Sequence, residues 1–119
     1  MDNITKPLYI IKEKELVVLK QAQKELSKVP RSVILDVYGL FEDLVIGKKL
    51  SLPISRPLHS IAKGLHELRL SDRSGEFRVF YLIKVNDAIY VLHAAQKKKQ
   101  EIDKKTVELL ITRMRSIGL

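Results

Sequence analysis

The stretch from Gly64 to Gln100, GLHELRLSDRSGEFRVFYLIKVNDAIYVLHAAQKKKQ, constrains the fold most, because it holds three strand-like runs separated only by turn chemistry. Leu65 to Ser71 and Glu76 to Val85 flank a Ser-Asp-Arg-Ser-Gly signal, and Asn86-Asp87 separates the second run from Ala88 to Gln96. Side chains that bond their own backbone, beside a glycine that tolerates positive φ, are what tight reversals need. The pattern predicts a three-strand antiparallel meander.

Upstream, Leu8 to Ile11 follows Pro7 as a short apolar run and reads as a first, edge strand. Lys12 to Lys28 is rich in helix formers, with Leu16, Leu19, Ala22, Gln23 and Leu26 at spacings of three and four, which predicts an amphipathic helix. Pro30 interrupts that pattern. Val33, Ile34, Val37, Phe41, Leu44 and Val45 then form a second helical stripe that stops near Gly47, completing an αα-hairpin. Lys48 to Lys63, with Pro53, Pro57 and no clear period, reads as one long connection. Asp103 to Ile117 closes the chain as a helix whose Val107, Leu110, Ile111, Met114 and Ile117 share one face.

An order of strand, helix, helix, strand, strand, strand, helix predicts an α+β fold with the helices packed on one face of the sheet. Alternation places His66, Leu68 and Leu70 toward the helices and Glu67 and Arg69 toward solvent. The Glu76 to Val85 run is apolar on both sides and reads as a central strand, which leaves the facing of Arg78 and Tyr81 open.

With 119 residues and 45% hydrophobic content the chain can bury one core, so residues 1–119 are expected to form a single domain. Lysine and arginine number 22 against 14 acids, a net charge of +8, which makes polyanions and nucleic acid above all the leading partner class. The absence of cysteine excludes disulfides, thiolate metal sites and a thiol nucleophile. No apolar run approaches the roughly 20 residues a bilayer requires, and the first residues do not read as a leader, so a soluble cytoplasmic protein without a membrane partner is expected. Metal-ligand spacings and glycine-rich phosphate loops are both missing from the sequence, and neither a metal nor a cofactor is expected.

Cutting RNA without a metal requires the ribose 2′-hydroxyl to attack phosphorus, a base for its proton, cations for the developing charge and an acid for the leaving oxygen. Arginine suits the phosphate role because its planar fork engages two oxygens at once. Arg69 and Arg78 lie on neighbouring strands and would converge if the register sets them side by side; otherwise they are partners for Glu67, Glu76 or Asp72. Tyr81 is either a stacking and proton-transfer group, which needs cationic neighbours, or a half-buried core residue. His93, near the end of the last strand, is either an acid-base group or a satisfied structural histidine. Lys97, Lys98 and Lys99, with Gln100, Lys104 and Lys105 just beyond, crowd five lysines near the start of the last helix.

The segments GLHELR at Gly64 to Arg69, RVFYLIK at Arg78 to Lys84 and IYVLHAAQKKKQ at Ile89 to Gln100 resemble the RelE and ParE superfamily of toxins, in the HigB-like, phage-derived Gp49-like branch of type II toxin-antitoxin systems. The resemblance implies a RelE-like fold and a ribosome-dependent, metal-independent mRNA endoribonuclease acting in the ribosomal A site. It implies that Arg69 and Arg78 orient and neutralise the scissile phosphate and that Tyr81 stacks on or helps deprotonate the substrate. Lys97 and Lys98 would hold RNA or stabilise charge, with Lys99, Gln100, Lys104, Lys105 and His93 as further RNA contacts. The implied antidote is a HigA-like helix-turn-helix antitoxin. Two departures affect base stacking: His66 stands where the family usually has an aromatic residue, and Ala95-Gln96 replaces the aromatic before the lysine run. Two other readings compete, a ParE-like inhibitor of DNA gyrase and a non-catalytic RNA-binding phage accessory protein. A gyrase inhibitor has no need of a phosphate-neutralising patch.

Overall fold

The computed structural model describes residues 13–84 and 88–119, which form a five-stranded sheet and three helices. In chain order these are β1 (Glu15–Val18), α1 (Lys20–Leu26), α2 (Arg31–Val45), β2 (Ser55–Pro57), β3 (Leu65–Asp72), β4 (Gly75–Lys84), β5 (Ala88–Gln96) and α3 (Lys104–Ser116). Across the sheet the order is β1-β5-β4-β3-β2, so the expected meander forms its centre. β1 joins β5 in parallel, and every other pairing is antiparallel. Among the described residues, no helix is long and apolar enough to cross a membrane.

Two elements differ from the sequence reading. The helix expected over Lys12 to Lys28 is a strand followed by a shorter helix, because Leu16, Val17 and Val18 pair with Ile89, Tyr90 and Val91. Sheet pairing of an apolar, β-branched run here overrides the helix preference of its neighbours. The strand expected at Leu8 to Ile11 lies outside the described residues. Within the connection expected over Lys48 to Lys63, Ser55–Pro57 adds an edge strand to β3. Pro57 is tolerated there because an edge strand does not use every N–H.

α2 follows the expected stripe, with Val33, Val37, Phe41 and Leu44 buried. Pro30 precedes it, where a missing N–H costs nothing. It ends on Gly47 at φ 92°, whose N–H donates to Leu44 O while Lys48 N–H donates to Asp43 O. That pair of bonds satisfies carbonyls the helix leaves open and demands the left-handed backbone glycine supplies. Gly64 answers a different need, since a Cβ there would lie 2.5 Å from the Ile83 carbonyl oxygen.

The helices and sheet share one apolar cluster that includes Leu26, Val37, Phe41, Leu68, Val79, Phe80, Leu92 and Leu110. Each large side chain removed from water in this way contributes about 1.5–3 kcal/mol. β4 is buried from Phe77 through Leu82, as a central strand should be. Among the polar residues of the sheet, Glu67 overturns its expectation: it is fully buried, not turned to solvent.

A buried ion-pair network and a lysine-lined cleft

The β3–β4 register places Arg69 directly opposite Arg78, as convergence requires. Their side chains nevertheless do different things. Arg78 is 9% exposed, with its Nε 2.8 Å from Glu67 Oε2, and the same carboxylate lies 3.2 Å from Nη2 of Arg56 on β2. These separations are those of ion pairs, although neither arginine aims its Nε–H squarely at an oxygen. Glu67 is therefore held by charge more than by aligned hydrogen bonds. A buried carboxylate without a cation would cost several kcal/mol, so two arginines on flanking strands are what allow it to sit at 0% exposure.

The far end of Arg78 acts as a clasp. Its Nη2 donates to the carbonyls of Lys99 at 3.0 Å and Gln100 at 2.6 Å, drawing the lysine segment back onto the sheet. Nη1 is left without a partner among the described residues. Lys97 is fixed as well, with its Nζ 3.3 Å from both Glu76 Oε1 and Gln100 Oε1. Lys98 and Lys99 are exposed.

Arg78, Phe80, Ala95, Gln96, Lys97, Lys98, Lys99 and Thr106 line a cleft of about 240 Å³ between the end of β5 and the first turn of α3, and two acids, Glu101 and Asp103, share its wall. Asp103 opens α3 by accepting from the Thr106 N–H at 2.8 Å. Hydrogen bonds from the Thr106 side chain and N–H hold the Asp103 carboxyl below the usual carboxylate range, with the charges of Lys99 and Lys105 assisting. Lys104 and Lys105 stand exposed in the same first turn, which carries no acidic residue. Lys104 and Lys105 oppose the helix dipole, whereas the Asp103 carboxylate at the cap complements it.

Of the residues singled out from sequence, the cleft gathers Arg78, Lys97, Lys98 and Lys99. Arg69 borders a separate depression, shared with Asp36 and Asp43 of α2 and with Ile54. Gln100 contributes its carbonyl to Arg78 and its amide oxygen to Lys97.

The hydrogen-bond partner of Tyr81 is a neutral hydroxyl, not a cation. Tyr81 is 1% exposed, and its hydroxyl lies 2.7 Å from Ser55 Oγ. Burial pushes the phenol above its ordinary value, and the Ser55 hydrogen bond only partly opposes that shift. Its ring stacks on His66, with centroids 5.1 Å apart and planes at 15°, and His59 meets His66 edge-on. Burial lowers the pKa of His66, opposed by its bond to Gly64 O and reinforced by His59. These rings border a largely apolar pocket of about 630 Å³ at the opposite end of β4, whose lining also includes Lys49, Lys63 and Lys84.

Sequence reasoning missed Arg56, which stood in an unstructured connection, and the buried role of Glu67. It also missed the partners of His93, which are Glu25 near the end of α1 and Arg113 on α3. Alternation carried no signal for these, because each depends on an element far away in sequence. Among the described residues, no group of acidic, histidine or cysteine side chains is arranged to hold a metal ion.

The family model described as phage-derived protein Gp49-like matches residues 24–115, most of the chain. The chain belongs to the Gp49-like family. No curated protein sequence matches it. Among solved structures, this Gp49-like chain is similar to a free-state mutant of the E. coli toxin RelE, with a TM-score of 0.65, 14% identity, and coverage of 86% of this chain and 98% of that one. It is also similar to a chain of the RelBE2 toxin-antitoxin complex of Mycobacterium tuberculosis, with a TM-score of 0.53, 20% identity, and coverage of 71% and 99%. The Gp49-like chain thus has a RelE-like fold.

Proposed function

We propose that this Gp49-like protein is the toxin of a type II toxin-antitoxin pair and arrests translation by cutting mRNA in the ribosomal A site without a metal. The observation that carries the reading is the cleft where Arg78 draws Lys97, Lys98 and Lys99 against the first turn of α3. Three lysines and a partly free guanidinium outnumber the two acids, Glu101 and Asp103, around a space large enough for a phosphodiester, and charge development at phosphorus is what such donors stabilise. Arg56, 37% exposed and tied to the same carboxylate as Arg78, extends the positive surface toward β2.

In this reading Arg78 holds the scissile phosphate through Nη1, and Lys98 and Lys99 neutralise the flanking backbone. Arg69 guides the strand from the neighbouring depression, and Lys104 and Lys105 extend the track along α3. Tyr81 supports the sheet and does not touch RNA. The cleft lacks an aromatic platform apart from the buried Phe80, since Ala95 and Gln96 stand where the family usually has one. The natural antidote is a HigA-like helix-turn-helix protein whose acidic groups answer the +8 charge. Two solved structures that share the fold are a toxin and a chain of a toxin-antitoxin complex, which supports this reading.

The test is induction of the chain in a bacterial host with primer extension on a translated reporter mRNA. Discrete, translation-dependent cuts that vanish in an Arg78→Lys variant are expected, because a lysine keeps charge beside Glu67 but cannot also clasp two carbonyls and a phosphate. Growth arrest without cuts would overturn the nuclease reading in favour of a target such as gyrase.

A further inference from the structure

Arg56, Glu67, Phe80 and His93 form one row across the sheet, each opposite the next on the neighbouring strand. Arg78 lies opposite Ala95, so His93 is its diagonal neighbour on the same sheet face. Diagonal pairs of this kind lie about 7–8 Å apart, somewhat less between Cβ atoms, within reach of aromatic and long side chains. The imidazole stacks on Phe80, with centroids 5.6 Å apart and planes at 13°. Its Nδ1 lies 2.9 Å from Glu25 Oε1. Glu25 also accepts from Arg113 at 2.7 and 2.9 Å and from the Ala94 N–H at 3.2 Å. Arg113 donates in turn to Leu92 O at 2.9 Å.

This geometry fixes the tautomer. A carboxylate at 2.9 Å requires a proton on Nδ1, while the Arg113 contact to that nitrogen is longer, at 3.3 Å. In the neutral ring Nε2 then carries the lone pair. It has no partner among the described residues. The Glu25–Arg113 pair already ties α1, β5 and α3 together through Ala94 N–H and Leu92 O, so the junction does not need an imidazole to close it. An aligned ring with one nitrogen fixed and the other unpartnered is the arrangement of a base held by a carboxylate.

We infer that His93 Nε2 accepts the 2′-hydroxyl proton in the RNA cleavage proposed above, with Glu25 as its positioning residue. The inference rests on that nuclease reading. As the proton moves to Nε2, the 2′ oxygen forms a bond to phosphorus and the bond from phosphorus to the 5′ oxygen breaks. The products are a 2′,3′-cyclic phosphate and a 5′-hydroxyl, whose proton comes from solvent water. The charged groups facing the ring are Glu25 from α1, Arg113 from α3 and, diagonally, Arg78 from β4. Burial pushes Glu25 upward, but its bonds from Arg113 and His93 outweigh this and hold its carboxyl below the ordinary value. It therefore remains the anion that orients Nδ1–H.

The test measures cleavage of a defined mRNA on translating ribosomes by purified protein, between roughly pH 5 and pH 9, for wild type, His93→Gln and Glu25→Gln. A glutamine amide can still donate to Glu25 but cannot take up a proton, and thermal unfolding reports whether each variant is folded. His93→Gln is expected to lose at least about 100-fold in rate, with the acid limb of the pH profile abolished. Glu25→Gln is expected to lose about tenfold and to displace that limb. Wild-type cleavage with His93→Gln within about threefold and an unchanged profile would overturn the inference while leaving the nuclease intact. No cleavage by wild type at any pH would overturn the nuclease reading and this inference with it.

Discussion

Arg78 and Tyr81 stand on the same central strand, and the protein treats them in opposite ways. Around Arg78 the sheet supplies a buried carboxylate and a second arginine, and the segment after β5 adds two backbone carbonyls, so a charge persists at low exposure and anchors a lysine-lined cleft. Around Tyr81 it supplies a serine hydroxyl and a histidine ring, so the direct partners of the phenol are neutral, beside a largely apolar pocket at whose lining Lys49, Lys63 and Lys84 also stand. Polar residue type alone does not mark a site. In the proposed reading, the end that handles phosphate is the one whose partners preserve charge, and the end whose direct partners are neutral holds the sheet together.

The sharpest way to break this contrast is to remove Arg78. Arg78→Ala leaves Glu67 with Arg56 alone and frees the lysine segment, so cleavage should disappear and stability should fall by about 3 kcal/mol, the lower end for breaking a buried pair. Urea denaturation measures this, and the Arg78→Ala, Glu67→Gln double variant should recover part of the loss. Full additivity of the two changes would mean that Glu67 does not depend on Arg78.

Removing the exposed cations is expected to act on binding with little effect on the fold. Lys98→Ala with Lys99→Ala should weaken RNA binding and reduce the slope of log affinity against log salt by about 0.7 for each phosphate no longer neutralised. Fluorescence anisotropy across a salt series reads this. An unchanged slope would place the RNA track elsewhere, with the Arg69 depression as the next surface to test.

At the neutral end the effects are smaller. Tyr81→Phe deletes the bond to Ser55 and should cost about 1 kcal/mol while leaving cleavage within about twofold. A loss of cleavage without a loss of stability would restore the catalytic role that the resemblance implied for Tyr81.

His66 gives the mildest effect, visible only through pH. Its folded pKa lies below its ordinary value, so the neutral ring is the form the fold prefers. The stabilisation is complete above that ordinary value and fades as pH falls through it, because the unfolded chain then binds a proton that the folded chain resists. Chemical denaturation at about pH 7.5 and about pH 5.5 should show a decline that His66→Phe reduces. An identical decline in the variant would assign it to other groups, with Glu25 and Asp72 the first to check at lower pH, since both carboxyls titrate below their ordinary values.

The meander, α2 and α3 were legible because their signals are local: turn residues at the Ser-Asp-Arg-Ser-Gly reversal, a stripe ending on Gly47, and Asp103 ahead of a periodic run. β1 was not, since Leu16, Val17 and Val18 reveal themselves as strand only once β5 is alongside. The lysine cluster could be placed from sequence because it directly follows β5. Arg56 and Glu67 could not, because their meaning lies in the β2–β3–β4 register. His93 was visible as a candidate, but Glu25 and Arg113, at sequence separations of 68 and 20, supply the geometry that distinguishes a held imidazole from an isolated one.

If the two ends of β4 divide the labour between chemistry and support, one side-by-side measurement tests that division most directly. It is cleavage of a ribosome-bound mRNA by purified Arg78→Lys and Tyr81→Phe proteins, both confirmed folded by circular dichroism. The predicted result is that the conservative Arg78 change abolishes cutting while the Tyr81 change leaves it intact. Cutting retained by Arg78→Lys and lost in Tyr81→Phe would contradict the division and move the chemistry to the opposite end of the strand.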